Sequence, residues 1–368
     1  MFVSYFFSFS SDRVLTKLVF LFMTLFSVIV FVVNNVFLLY FFYESSLLPI
    51  LYIIIKWGSY PERSVRSLML LVYTAVCSFP FIFFMFYMFT NAYSFNLSLT
   101  NYYFLELPTF LSIVVLIAFS VKLPVYGLHF WLPIAHVEAP TFGSMILAGV
   151  LLKLGGVGLV RLSRFLSFDF LISVFLGYLY VFLFLVTLIC CFQTDFKRLV
   201  AYSSVSHIMA IPILFFSNNF LAHKSLLMLI FFHGLRSPVL FMLVGILYSY
   251  FSSRQLLVIR GLLLMSPLIS FIIVLSFFFT MSAPPFPSFV AEVYFFVSRY
   301  ILSTYFIYPV LLFTFFSLVY NLLWFRIINF SSISRRFRLD KLLGFNSFLA
   351  LAHSFFVCFS FLVLLSFM

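Results

Sequence analysis

The stretch from Val121 to Gly156, VKLPVYGLHFWLPIAHVEAPTFGSMILAGVLLKLGG, places two lysines in an otherwise apolar part of the chain. Lys122 stands two residues before Pro124. Because proline lacks a backbone donor and disfavours helix in the residue before it, we expect a membrane helix to break beside this lysine. Lys153 lies among leucines, where an ionisable side chain costs at least ~2.5–3.5 kcal/mol to insert. It must face a wet or polar interior, or else snorkel to the membrane surface.

Composition indicates that most of the chain lies in a membrane. Hydrophobic residues make up 65% of the sequence and charged residues 8%, which excludes a water-soluble globule. The four cysteines form no C-x-x-C pair and have no histidine at zinc spacing, so we expect no metal site. No glycine-rich phosphate loop is present, which argues against nucleotide chemistry in this chain. The predicted fold class is an all-α polytopic membrane protein.

Apolar runs long enough to cross ~30 Å of hydrocarbon predict about 11 transmembrane helices, two of them broken. We expect a single membrane domain, 1–368, with a first half at 14–160 and a second half at 168–327. Residues 328–368 are expected to form a basic loop and a last helix. The predicted spans are 14–33, 35–56, 67–90, 109–123, 142–160, 168–192, 195–216, 221–250, 257–280 with 286–300, 304–327 and 346–367.

The distribution of basic residues supports this arrangement. When predicted loops are assigned alternately to the two sides of the membrane, 14 of the 21 lysines and arginines fall on one side and 4 on the other. Lys197 is counted with the 14 and Arg299 with the 4, both as loop residues. The net charge of +12 is therefore mostly a feature of topology, and we expect no nucleic-acid partner. The basic run Arg335–Lys341 is a candidate contact for lipid headgroups.

Two carboxylates also lie in apolar runs. Glu44 is in the middle of VFLLYFFYESSLLPILYIII, and Lys122 is its expected partner, since an opposite charge nearby keeps both groups ionised. The alternative is a protonated carboxyl bonded to a helix carbonyl. Glu292 follows three prolines that rule out a regular helix near Pro284–Pro287. Broken helices in both halves, one near Lys122 and one here, are typical of inverted-repeat transporters, although no residue-by-residue repeat is visible.

Two histidines lie between the two lysines. His129 and His136 titrate near neutral pH, so they either pass protons or bond to carbonyls of loops and helices. Four buried charges in one chain indicate a role in ion or proton movement.

Six segments carry a resemblance to a known family: FYESSLLP (Phe42–Pro49), WGSYPER (Trp57–Arg63), the run Lys122–Gly156, QTDFKRLVAYSSVSH (Gln193–His207), FHGLRSPVLF (Phe232–Phe241) and PPFPSFVAE before and including Glu292. Together they resemble the chain 4 family of NADH:ubiquinone oxidoreductase, respiratory complex I, an antiporter-like subunit of its membrane arm. Glutamate rather than lysine at the second break is similar to chain 4 and unlike chains 2 and 5. The resemblance implies an antiporter-like inverted-repeat fold.

The resemblance also implies a relay of eight ionisable residues. It assigns a control pair to Glu44 and Lys122, the central relay to Lys153, the exit-side carboxyl to Glu292, and connecting positions to His129, His136, His207 and His233. For His207 and His233 the alternative is a bond to a helix carbonyl.

By the same resemblance, the chain is a proton-translocating subunit of complex I in the mitochondrial inner membrane. Its implied partners are other membrane-arm subunits, like chains 2 and 5, and accessory subunits. No cofactor is expected in this chain, because NADH, FMN, iron–sulfur clusters and ubiquinone belong to partner subunits. Two other functions remain open, a freestanding cation/proton antiporter and a non-pumping scaffold remnant of the membrane arm.

The sequence departs from the family in three places. Only 43 residues precede Glu44, so about three N-terminal helices of the family are expected to be missing. Arg236 replaces a small or polar residue, and we expect it to bind a membrane lipid or an acid of a neighbouring chain. The segment Tyr250–Arg254 lacks a histidine that the family often has there.

Overall fold

The protein is seen in a computed structural model, and among the residues it describes the only extended pairing consists of two isolated β-bridges. Contacts divide the chain into two compact units between Gly177 and Tyr178. The predicted last span at 346–367 and the basic run Arg335–Lys341 lie outside the described residues. The described residues are 13–58, 60–100, 107–125, 127–166, 171–217, 219–284, 286–302, 305 and 307–332.

The helices of the first unit are short where the chain is interrupted and long elsewhere. They are α1 (Arg13–Val32), α2 (Val36–Ser45), α3 (Leu47–Trp57), α4 (Arg63–Ser78), α5 (Phe81–Ala92), α6 (Leu97–Thr100), α7 (Thr109–Ser120), α8 (Trp131–Glu138), α9 (Thr141–Ile146) and α10 (Leu152–Leu162), with a π-helical turn at Leu147–Leu151 and a 3-10 turn at Ser163–Phe165.

The second unit is organised around one long helix, α14. Its helices are α11 (Leu171–Phe192), which begins just before the boundary, α12 (Phe196–Ile208), α13 (Ala210–Phe215), α14 (Phe220–Phe251), α15 (Leu262–Met265), α16 (Pro267–Thr280), α17 (Pro287–Leu302) and α18 (Ile307–Phe330).

Eight described helical runs are long and apolar enough to cross a membrane, which confirms the all-α polytopic fold class. Two shorter apolar helices, Thr109–Ser120 and Ile269–Thr280, end where the breaks are predicted. The number of 11 helices stays a prediction. The eight runs are Val14–Val32, Val36–Trp57, Arg63–Asn91, Thr141–Leu162, Phe175–Phe192, Phe196–Phe215, Phe220–Phe251 and Ile307–Phe330.

Proline interrupts one helix in each unit in the same way. Helix α2 ends before Ser46, with φ −62° and ψ −19°, and Pro49 follows three residues later. Helix α12 ends before Met209, with φ −61° and ψ −19°, and Pro212 follows three residues later. Because proline cannot donate to the carbonyl four residues earlier, each helix is locally divided and carbonyls at the division are released.

Other backbone features occur in both units, so the structure contains a repeat that the sequence did not reveal. A β-bridge joins Asn35 to Asn96 in the first unit, and another joins Asp195 to Gln255 in the second. In each unit the helix before the second bridge residue ends in a left-handed residue, Tyr93 and Ser252, both with φ 49°. These backbone features thus appear twice in the same order along the chain.

Two charges expected in loops are instead buried. Lys197 is 1% exposed in α12, and Arg299 is 0% exposed in α17. The guanidinium of Arg299 donates to the carbonyl of Ile213 and lies 5.8 Å from the ring centroid of Tyr180. Ile213 is near the end of the six-residue α13, where carbonyls lack an intrahelical donor. The counting of loop charges was therefore wrong for these two residues, because apolar length alone cannot locate a helix end.

Candidate functional site

Lys122 occupies the break after α7, as the sequence predicts, and is 1% exposed. Its Nζ donates to the backbone carbonyl of Tyr43 at 2.5 Å and lies 3.2 Å from the centroid of the Tyr43 ring. This carbonyl is one of the last four of α2, so no helix amide competes for it. Ser46 Oγ also donates to it, at 2.7 Å. The broken helix α2 thus provides a preformed acceptor for a buried ammonium.

Glu44 and Lys122 interact electrostatically, but the described contacts include no ion pair between them, and Glu44 Oε1 is buried with no hydrogen-bond partner in the structure. The reason is helical geometry, since Tyr43 and Glu44 are adjacent and adjacent side chains do not face the same way. The predicted control pair is therefore arranged through Tyr43 rather than as a direct salt bridge.

Tyr43 is a site residue that sequence reasoning missed. It is 2% exposed, its hydroxyl donates to the carbonyl of Ala118 at 3.2 Å, and its ring packs edge-on against Phe119 at 5.1 Å between centroids. Both partners belong to α7, the helix that leads to Lys122. The only signal in the sequence was an aromatic residue directly before a buried glutamate.

Trp131 forms a hydrogen bond to the backbone at the break beside Lys122. Its Nε1 donates to the carbonyl of Val121 at 3.0 Å, a group that the break leaves without a helical donor. His129 lies between the break and α8, 1% exposed, with its ring 4.5 Å from that of Phe130. His136 is in α8 and is 0% exposed. Both histidines are thus in the interior of the first unit, and their place in a proton relay stays a prediction.

Lys153 is also buried, at 5% exposure, which excludes snorkelling to the surface. It is the second residue of α10 and directly follows the π-helical turn Leu147–Leu151. A π turn widens the helix and disturbs the regular carbonyl pattern. Lys153 Nζ donates to the carbonyl of Ala148 in this turn. Lys122 and Lys153 thus each bind a main-chain carbonyl at an irregular point of a helix.

An ion pair in this unit was not predicted. Glu138, 0% exposed in α8, accepts from Arg66 of α4 at 2.6 Å. Glu62, one turn before Arg66, also binds it. The count of basic residues in loops assigned Arg66 to a loop, and no role was predicted for Glu138. No local feature of the sequence shows that these two segments meet.

In the second unit Glu292 stands beside the other broken helix. Ser282, which has a left-handed φ of 51°, donates its Oγ to Glu292 Oε1 at 2.6 Å. His207 Nδ1 lies 4.0 Å from the same oxygen. His207 and His233 have ring centroids 6.5 Å apart, and both line a cavity with Glu292. We call this the Glu292 cavity; its polar lining residues are His207, His233, Arg236, Ser282, Ser288 and Glu292.

Arg236 belongs to the same cavity and is 5% exposed. Its NH1 donates to the carbonyl of Thr280 at 3.4 Å, at the end of α16, and Thr280 Oγ1 donates to Asn321 Oδ1 of α18 at 3.0 Å. This burial gives Arg236 polar neighbours inside its own unit. Its predicted contact with a lipid or a neighbouring chain stays a prediction.

The eight predicted relay residues thus fall into two groups, Glu44, Lys122, His129, His136 and Lys153 in the first unit, and His207, His233 and Glu292 in the second. Within the described residues no group of three His, Cys, Asp or Glu side chains could hold a metal ion.

Comparison with known proteins gives a family match over most of the chain. The family described as NADH:quinone oxidoreductase/Mrp antiporter, TM, matches residues 33–319. NADH-ubiquinone oxidoreductase chain 4 of Ceratitis capitata is 39% identical over 270 residues, which is 72% of this chain and 60% of the relative. The same chain of Polypterus ornatipinnis is 36% identical over 289 residues, 74% of this chain and 61% of the relative. This chain therefore spans about 60% of the length of these relatives.

Solved structures show a similar fold. A chain of respiratory complex I from Thermus thermophilus with bound NADH has a TM-score of 0.85 and 21% identity, covering 94% of this chain and 75% of that one. A chain of the membrane-bound sulfane sulfur reductase, an archaeal respiratory membrane complex, has a TM-score of 0.84 and 16% identity, with coverages of 98% and 76%. These similarities confirm the predicted antiporter-like fold.

Proposed function

Because this chain belongs to the NADH:quinone oxidoreductase/Mrp antiporter transmembrane family, we propose that it is a chain 4 counterpart that translocates protons in the membrane arm of respiratory complex I. The observation that carries the proposal is an ionisable group beside a broken helix in each unit, the buried Lys122 in the first and Glu292, whose side chain is 13% exposed, in the second. Buried charges of this kind persist in membranes where they serve ion or proton pathways.

The mechanism we propose is electrostatic. Redox chemistry in partner subunits changes the charge balance around Glu44 and Lys122. The Lys122 ammonium is held by the Tyr43 carbonyl and ring, which stabilise its charged form. When the influence of Glu44 weakens, Lys122 gives up its proton, which passes by histidines and water to Lys153. In the second unit Glu292 takes up a proton and releases it to the other side of the membrane.

The setting we propose follows from the same family membership. The chain is a multi-pass membrane protein, and we place it in the mitochondrial inner membrane. Its partners would be the other antiporter-like subunits, similar to chains 2 and 5, and accessory subunits. NADH, FMN, iron–sulfur clusters and ubiquinone would be bound by partner chains.

The test replaces Lys153 by Met in the assembled complex and measures protons translocated per NADH oxidised in sealed vesicles. We expect a lower proton yield, because the relay loses its central base. Lys56→Met is the matched control, since Lys56 is an exposed lysine of the first unit, and its yield should equal that of the wild type.

The same experiment separates the alternatives. An unchanged yield in Lys153→Met would contradict proton translocation by this chain and favour a scaffold. Sodium/proton exchange by the isolated chain in vesicles, without redox partners, would favour a freestanding antiporter.

A further inference from the structure

Arg236, a buried cation, and Glu292, a carboxyl whose side chain is 13% exposed, line the same cavity. Arg236 projects from α14 and Glu292 from α17, and the two side chains interact electrostatically. Among the contacts of the described residues no direct ion pair joins them. Their charges therefore act on each other across the cavity rather than through a shared hydrogen bond.

A hydrogen bond that does not involve Glu292 holds the Arg236 guanidinium in place. Arg236 NH1 donates to the Thr280 carbonyl, one of the last carbonyls of α16, and Asn321 in turn accepts from the Thr280 hydroxyl. The Nε of Arg236 is buried and has no hydrogen-bond partner in the structure. The position of the cation is thus set by the end of the broken helix and not by the carboxyl.

The other neighbours of Glu292 cannot supply a permanent positive charge. Ser282 donates one hydrogen bond to Oε1, and this hydroxyl is neutral. His207 at 4.0 Å is a cation only when protonated, and a proton there would place a second positive charge near Arg236. A guanidinium, by contrast, keeps its proton in proteins. Arg236 is the one constant positive charge among the residues lining this cavity.

We propose that Arg236 is the fixed counter-charge of Glu292, a positioning residue that keeps the carboxyl ready to release a proton. The proposal rests on the proposed function and deepens it. A buried carboxyl without a nearby cation favours its protonated form, whereas a nearby cation favours the carboxylate. With Arg236 in place, a proton taken up by Glu292 is held less tightly than it would be without this cation, and it can leave. The second unit thereby contains a carboxyl and a cation that interact electrostatically, as the first unit does with Glu44 and Lys122.

Titratable groups on the other helices packed around the cavity also contribute to the electrostatic surroundings of Glu292. Helix α12 supplies His207, α14 supplies His233, α18 supplies Tyr320, and α11 supplies Cys190, which interacts electrostatically with Tyr320. Arg236 also interacts electrostatically with His207 and Tyr320, so a shifted pH profile reports the loss of this cation, and the infrared band of the Glu292 carboxyl assigns the shift to that residue.

The experiment compares Arg236→Gln and Arg236→Lys in the assembled complex, with proton yield per NADH measured across a range of pH. In Arg236→Gln we expect the pH dependence of the yield to move to higher pH by about one unit or more, a tenfold change in proton affinity, because Glu292 holds its proton more tightly. Arg236→Lys keeps the charge and should retain the wild-type profile. An unmoved profile in Arg236→Gln, or equal shifts in both variants, would overturn the proposal.

Arg299→Gln is the matched control. Arg299 is a second buried arginine of the same unit, but its described contacts are the Ile213 carbonyl and the rings of Tyr180 and Phe295, and it does not line the cavity. Loss of this cation should leave the pH profile where it is. A shift equal to that of Arg236→Gln would show a general effect of removing buried charge and would contradict the proposal.

A second measurement covers the case in which Arg236→Gln does not assemble. Removing one partner of a buried charge pair destabilises more than removing both, so the double variant Arg236→Gln with Glu292→Gln should recover assembled complex. An equally poor yield of complex from the double variant would refute the pairing.

Infrared spectroscopy separates this proposal from the proposed function. The protonated-carboxyl band of Glu292 should be stronger in Arg236→Gln than in the wild type at the same pH, and it should be missing from the double variant. A stronger band together with an unchanged proton yield would support the pairing and contradict pumping. A band of equal strength in Arg236→Gln and the wild type would contradict the pairing whatever the yield.

Discussion

Tyr43 determines how Lys122 is held, through one backbone atom and one ring. The ring face attracts the ammonium, an interaction of about 0.5–2 kcal/mol that is larger where water is excluded. The carbonyl contact does not depend on the side chain, because any residue at position 43 retains it. The side chain and the backbone can therefore be tested separately.

We predict that Tyr43→Leu lowers the proton yield per NADH, because the ammonium loses the ring that stabilises it. Tyr43→Phe keeps the ring and loses only the hydroxyl bond to Ala118, so it should retain most of the wild-type yield. The measurement is proton translocation in sealed vesicles at equal rates of NADH oxidation. Equal yields from the two variants would show that the ring has no role.

At the scale of the element, the glycines of α10 allow this helix to approach α7. A Cβ built on Gly158 would lie 2.1 Å from Cε1 of Phe119, and one on Gly155 would lie 3.0 Å from the Phe119 carbonyl oxygen. Small residues permit such close approach between membrane helices. Phe119 also packs on Tyr43, whose carbonyl and ring bind Lys122. The contact between Gly158 and Phe119 therefore connects the helix of Lys153 to the residue that binds Lys122.

We predict that Gly158→Ala destabilises the complex by about 1–3 kcal/mol, because the Phe119 ring must move out of the way. Gly177→Ala is the matched control, since a Cβ there meets no heavy atom within 4 Å. Thermal inactivation of the assembled complex would measure both variants. Equal inactivation temperatures for the two variants would contradict close packing at Gly158.

Arg161 shows how one side chain can fix the end of a helix. Its guanidinium donates to the carbonyls of Val30 at 3.0 Å and Val33 at 2.6 Å, and also to that of Phe31, at the C-terminal end of α1. Positive charge at this end of a helix is favourable, and the bonds satisfy carbonyls that lack helical donors. The count of basic residues in loops assigned Arg161 to a loop. Nothing in the sequence predicts these partners.

At the scale of the whole molecule, the two units carry the same order of elements and different charges. The first unit has Lys122 at its second helix interruption, and the second unit has Glu292 just past its second helix interruption. If one transport cycle uses both, the loss of either group stops the same process.

We predict that Lys122→Met and Glu292→Gln each lower the proton yield per NADH, and that the double variant is no worse than the more severe single variant. The reason is that residues acting as one unit have non-additive effects. The measurement is the proton yield of the three variants under identical conditions. Losses that add in the double variant would instead indicate two independent proton paths.

The sequence by itself determined the membrane setting, the all-α fold class and the positions of both breaks. These follow from local properties, since apolar length sets a span and proline removes a donor wherever it stands. It also placed Lys122 and Lys153 in apolar runs, where a charge is costly, although snorkelling of Lys153 to the membrane surface stayed open.

Only the tertiary structure decided which groups meet. Lys122 binds the carbonyl of Tyr43 and not the carboxylate of Glu44, and Arg236 lines the cavity of Glu292 although 56 residues separate them along the chain. Glu138 and Arg66, 72 residues apart, form an ion pair that the sequence of neither segment predicts. Such contacts depend on how helices distant in sequence pack and which carbonyls their interruptions release, and no local pattern encodes either.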